Sequence, residues 1–114
     1  MLDVYGIKNC STVKKALNWL DQHNKVYRFH DYKKTPATQE QLQRWAQEVS
    51  WERLLNKRGT TWRRLSTEQQ EAVVDSASAI AVLRENNSMI KRPLIESPNG
   101  ILLGFDDEEY QSKL

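Results

Sequence analysis

Leu2-Asp3-Val4-Tyr5-Gly6-Ile7-Lys8-Asn9-Cys10-Ser11-Thr12-Val13 is the stretch whose change of period decides the fold. Residues 2–6 alternate apolar and polar, which predicts a short strand closed by Gly6. Val13, Ala16, Leu17 and Leu20 then recur at helical spacing, which predicts an amphipathic helix over 11–23. Its outer face takes Lys14, Lys15, Asn18 and Asp21. Residues 26–30, Val-Tyr-Arg-Phe-His, return to strand character. Strand, helix and strand make a βαβ unit, whose crossover is expected to be right-handed.

Working outward, the middle of the chain reads as helical. Thr38 with Gln41 forms a capping box ahead of the stripe Leu42, Trp45, Ala46 and Val49. Trp51, Leu54 and Leu55 continue as a short turn of helix until Arg58-Gly59-Thr60-Thr61 interrupts it. Ser66 with Gln69 is a second box leading into Val73 and Val74, and Ser76 to about Arg84 is a further helix stopped at Asn86-Asn87. Leu94-Ile95 and Ile101-Leu102-Leu103 flank Ser97-Pro98-Asn99-Gly100, and Asn-Gly is the preferred centre of a tight hairpin turn. Asp106 with Glu109 caps a last helix that contains Tyr110. The order βαβ, helical insert (about 38–88), ββα predicts an α/β fold with a mixed four-stranded sheet, which is the thioredoxin-like topology.

With 114 residues and no repeat, linker or low-complexity stretch, the expectation is a single domain over 1–114. A single Cys excludes an internal disulfide and leaves no cysteine cluster for structural zinc, so a reducing, cytoplasmic setting is expected. The longest apolar run, 79–83, is too short to span a membrane. Met-Leu-Asp-Val-Tyr-Gly has no basic region followed by an apolar stretch, so no signal peptide is expected. A net charge of +2 does not by itself point to nucleic acid.

Cys10 stands where the first strand has ended and the first helix begins. Unpaired amides at a helix N-terminus and the helix dipole favour negative charge there, Ser11 and Thr12 belong to that first turn, and Lys8 and Lys14 add positive charge. These effects favour the thiolate, which is the reactive form. The alternative is a small apolar residue of the core, against which the polar neighbours argue. Arg92-Pro93 directly precedes an apolar strand. A cis bond would fix the strand there, and a trans proline at a strand edge is the plainer reading. Arg53, Lys57, Arg58, Arg63 and Arg64 alternate with Trp51 and Trp62. They suit a solvated helical face, a small anion, or nucleic acid in that order. His23 and His30 have no partner at metal-ligand spacing, so no metal site is expected.

Tyr5-Gly6-Ile7-Lys8-Asn9-Cys10, Arg58-Gly59-Thr60-Thr61-Trp62-Arg63 and Ile90-Lys91-Arg92-Pro93-Leu94 together resemble the YffB-type branch of the ArsC/Spx family. The resemblance runs from the first strand to the final helix. It implies a thioredoxin-like fold with a helical insert, Cys10 as the redox-active cysteine and Pro93 as a cis proline. Arsenate reductases of this family place an arginine one turn after the cysteine, where Lys14 stands, and use three further arginines on the oxyanion. Arg92 matches one of these; the others fall on Asn56, beside Lys57 and Arg58, and on Phe105. Spx-type regulators carry Cys-x-x-Cys, whereas the second position here is Val13.

The expected activity is that of a one-cysteine thiol oxidoreductase with no bound cofactor, using glutathione as co-substrate and glutaredoxin as a protein partner. Cys10 is the nucleophile, Lys8, Ser11 and Thr12 favour its thiolate, and Lys14, Arg58, Arg92 and Pro93 hold the anionic substrate. The alternative is a regulator without turnover that contacts an RNA polymerase subunit through residues 51–64.

Overall fold

The computed structural model describes residues 1–114, which form two compact units: Met1–Thr35 with Arg92–Leu114, and Pro36–Lys91. The first unit holds the four-stranded sheet, ordered β2-β1-β3-β4. β1 (Leu2–Gly6) pairs parallel with β2 (Tyr27–Asp31) and antiparallel with β3 (Leu94–Ser97), which pairs antiparallel with β4 (Gly100–Leu103). This is the mixed α/β, thioredoxin-like sheet that the change of period predicts.

Alternation along the strands gives the sheet two different faces. One carries Leu2, Val4, Tyr27, Phe29, Ile95 and Leu102 and packs on Ala16, Trp19 and Leu20 of α1 (Ser11–Gln22) and Tyr110 of α7 (Asp107–Lys113). The other carries Asp3, Tyr5, Arg28, His30, Leu94 and Glu96, as the pairs Asp3 with Arg28, Tyr5 with His30, and Asp3 with Glu96 require. Gly6 ends β1 against α1 so closely that a Cβ there would lie 3.0 Å from Val13 Cγ2.

The second unit is helical: α2 (Gln39–Val49), α3 (Trp51–Leu54), α4 (Thr60–Arg64), α5 (Thr67–Glu71) and α6 (Ser76–Glu85), followed by a 3-10 turn at Asn87–Met89. Leu42, Trp45, Ala46 and Val49 are buried as their spacing predicts, and α2 lies against α3 and α6. The capping boxes at Thr38 and Ser66 both form.

The structure differs from expectation in four local features. β2 begins one residue later than the apolar pattern suggests, leaving Val26 exposed. Val74 is also exposed, since the chain turns there toward a third box built by Asp75 and Ser78. Arg58-Gly59-Thr60-Thr61 does not merely interrupt: Gly59 is the N-cap of α4. In the hairpin Ser97 pairs with Gly100, so Pro98 and Asn99 form its centre. Gly100 leaves it at φ 106°, which a side chain would resist.

Candidate active site around Cys10

The carboxyl end of β1 gathers the chemistry of the first unit. Residues 7–9 lead from Gly6 to Cys10, the N-cap of α1, which is half-buried and holds extended backbone angles. Its carbonyl accepts from the Lys14 amide at 3.0 Å, which starts the helix, while its side chain caps none of the first-turn amides. The first turn carries no acidic residue to compete with an anion. Lys8, Ser11 and Lys14 are exposed and Thr12 is half-buried.

Pairing of Tyr5 with Leu94 sets Pro93 at the same end of the sheet, across from Gly6. The Arg92–Pro93 bond is cis, Pro93 is buried, and its carbonyl accepts from Gly104 N at 2.9 Å. Arg92 is half-buried, yet its guanidinium makes no hydrogen bond or ion pair. Phe105, next to Gly104, turns its ring into the core and meets Tyr110 edge-on at 5.0 Å. No cation stands at that position.

Cys10, Lys8, Ser11, Thr12, Lys14, Arg92 and Pro93 thus all belong to the first unit, and Arg58 to the second. There Arg58 donates its amide to Asn56 Oδ1 at 3.1 Å and lines an open cleft of about 330 Å³ with Lys57 and Lys91. Lys57 Nζ lies 5.4 Å from the Trp62 ring centre, a cation–π distance. Arg53, Lys57, Arg58, Arg63 and Arg64 are all exposed, with Trp51 and Trp62 half-buried.

The polar sheet face was not legible as a site. Asp3 accepts from His30 Nε2 at 2.8 Å and Arg28 Nε at 3.2 Å, and the hydrogen bond from His30 holds its carboxyl below the ordinary range. Tyr5 donates to Glu96 Oε1 at 2.9 Å and stacks with His30 at 4.4 Å and with Tyr32 at 6.3 Å between ring centroids. The available signal was the alternation of β2, which sets Arg28 and His30 on one face and Tyr27 and Phe29 on the other. No group of His, Cys, Asp or Glu is arranged to hold a metal ion.

The profile of the ArsC family matches residues 5–113. The chain belongs to the ArsC family. A Haemophilus influenzae protein is 46% identical over 112 residues, covering 98% of this chain and 97% of that one. The solved structure of a protein described as YffB is 44% identical with a TM-score of 0.94, covering 100% of this chain and 99% of the other. The solution structure of an arsenate reductase (ArsC) related protein from Brucella melitensis is 43% identical with a TM-score of 0.78, covering 97% and 92%. An arsenate reductase from Vibrio cholerae is only 17% identical but shares the fold, with a TM-score of 0.83 over 99% of this chain and 97% of that one. This ArsC-family chain therefore has the arsenate-reductase-like thioredoxin fold, and no helix in it is long and apolar enough to cross a membrane.

Proposed function

We propose that this chain is a one-cysteine thiol oxidoreductase that works with glutathione and binds no resident cofactor. The observation that supports it best is the grouping at one end of the sheet. A half-exposed Cys10 heads a helix, and cis-Pro93 and an unpaired Arg92 guanidinium share its end of β1. A ligand placed outside the carboxyl ends of parallel strands is the usual arrangement in α/β folds.

The Cys10 thiolate attacks one sulfur of an oxidised thiol compound, such as glutathione disulfide. The S–S bond breaks, the second sulfur leaves as a thiolate that takes a proton from water, and a mixed disulfide remains on Cys10. No second cysteine exists to displace it, so an outside thiol attacks the bound glutathione sulfur and releases Cys10. Glutathione carries two carboxylates. Arg92 suits one, since a guanidinium presents a planar fork, and Lys14 is a further cation of the same unit for the other. Lys8 and the first-turn residues Ser11 and Thr12 favour the anionic sulfur. Glutaredoxin is the expected protein partner in resolving the adduct, and the setting is cytoplasmic.

The test is mass spectrometry of the protein after incubation with glutathione disulfide, alongside Cys10→Ser. A single glutathione adduct on the wild type and none on the variant is expected. Reaction of Cys10 with another thiol reagent, but not with glutathione disulfide, would overturn the glutathione role. The exposure of all five cations in 51–64 favours a second reading, a non-catalytic contact with an RNA polymerase subunit. Recovery of that subunit from extract by a protein with Cys10→Ser, together with no thiol turnover by the wild type, would favour it.

A further inference from the structure

One hydrogen bond near the candidate site is left unmade. Tyr32 follows β2, and its amide donates to Gly6 O at 2.9 Å, so it stands at the end of the sheet from which the chain leads to Cys10. Its side chain is only 3% exposed, and its hydroxyl is the single buried side-chain polar atom without a partner. Burying such a group unpaired is costly, and a phenylalanine would fill the same volume without that cost. The hydroxyl therefore adds nothing to stability as it stands.

Its ring stacks on Tyr5 with 6.3 Å between centroids, and the Tyr5–Leu94 pairing brings Arg92 to the same end of the sheet, where its charge and that of Glu96 act on the phenol. Tyr5 already donates to Glu96. Arg92 is the donor still uncommitted, with five N–H groups and no acceptor of its own. Burial and the neighbouring Tyr5 and Glu96 push the phenol far above its ordinary range, with Arg92 opposing them, so it stays neutral. A neutral phenol oxygen retains lone pairs for a guanidinium without neutralising it.

We propose that Tyr32 is a positioning residue of the Cys10 site: when an anionic substrate docks, the Arg92 guanidinium donates to its buried, still unpaired oxygen, which fixes that group beside Pro93. The remaining edge of the fork then faces the carboxylate of an incoming anionic thiol compound. This rests on the anion-holding role given to Arg92 above, and it narrows the substrate class to thiols and disulfides that bear a carboxylate.

The experiment compares the rates at which Cys10 is alkylated by iodoacetate, which is anionic, and by iodoacetamide, which is neutral, at one pH. Their ratio cancels any change in thiolate fraction. Tyr32→Phe is expected to lower the ratio several-fold, as Arg92→Ala does, and to lower it no further in the Arg92→Ala background. It should also melt no lower than the wild type. A ratio unmoved by Tyr32→Phe, or an equal fall with and without Arg92, overturns the proposal. The two readings separate cleanly. A responsive ratio without a glutathione adduct sinks the glutathione role alone, and an adduct with an unresponsive ratio sinks the role of Tyr32 alone.

Discussion

Tyr110 and Tyr32 are both buried phenols, but Tyr110 donates to Gly104 O at 2.6 Å whereas Tyr32 donates to nothing. Removing the Tyr110 oxygen leaves a buried carbonyl unpaired, so Tyr110→Phe should cost about 1–3 kcal/mol. Tyr32→Phe should cost none, and urea unfolding of the two variants side by side checks the contrast. A second residue-scale expectation concerns acid. The His30 hydrogen bond, more than Arg28, lowers the Asp3 carboxyl from its ordinary value of 3.8. A carboxyl depressed in the folded state stabilises above its unfolded value, and that contribution is lost as pH falls through the folded one. Asp3→Asn should therefore melt below the wild type at neutral pH. The gap should narrow as the pH drops below about 4, and melting curves across that range would show it. Curves that stay parallel would mean that ionisation of Asp3 contributes nothing.

Among the elements, the end of β1 is the least tolerant place. A methyl on Gly6 would press on Val13 Cγ2, part of a β-branched side chain fixed close to the helix backbone. Gly6→Ala should cost about 1–3 kcal/mol and push α1, with Cys10 at its head, away from the sheet. Denaturant unfolding and the iodoacetamide rate should both move. An unaltered protein would show that the helix shifts freely. The sequence makes most elements legible because each has its own period and start signal: the stripe behind Thr38, the box at Ser66, the alternation in residues 2–6. Where it fails, the signal is missing or different in kind. α4 buries no residue, so it has no apolar stripe to read. The cap at Asp75 closes on Ser78 rather than on Glu or Gln. Cys10 can be picked out by local pattern, whereas the cis bond at Pro93 comes only from the family resemblance, since the local pattern favours trans. The Tyr32 hydroxyl is legible in neither, because what distinguishes it is a partner absent from three-dimensional surroundings.

For the whole molecule, the arsenate question turns on two positions that carry no cation, one in each unit and each considered by itself. Phe105 is committed to the core, and Asn56 spends its Oδ1 on the Arg58 amide. Little or no arsenate reduction is expected in an assay with glutathione and glutaredoxin, followed as NADPH consumed through glutathione reductase. Rapid turnover would mean that other cations rebuild the fork. The strand order also has a consequence for biosynthesis. β1 is made early but lies between β2 and β3, and β3 arrives more than eighty residues later. On the ribosome the nascent chain can pair β1 with β2, while the other edge of β1 stays open until residues 94–97 have emerged. Through that interval the end of the sheet that leads to Cys10 has neither Arg92 nor Pro93. A nascent chain therefore carries its cysteine through most of translation before the residues that share its end of the folded sheet exist.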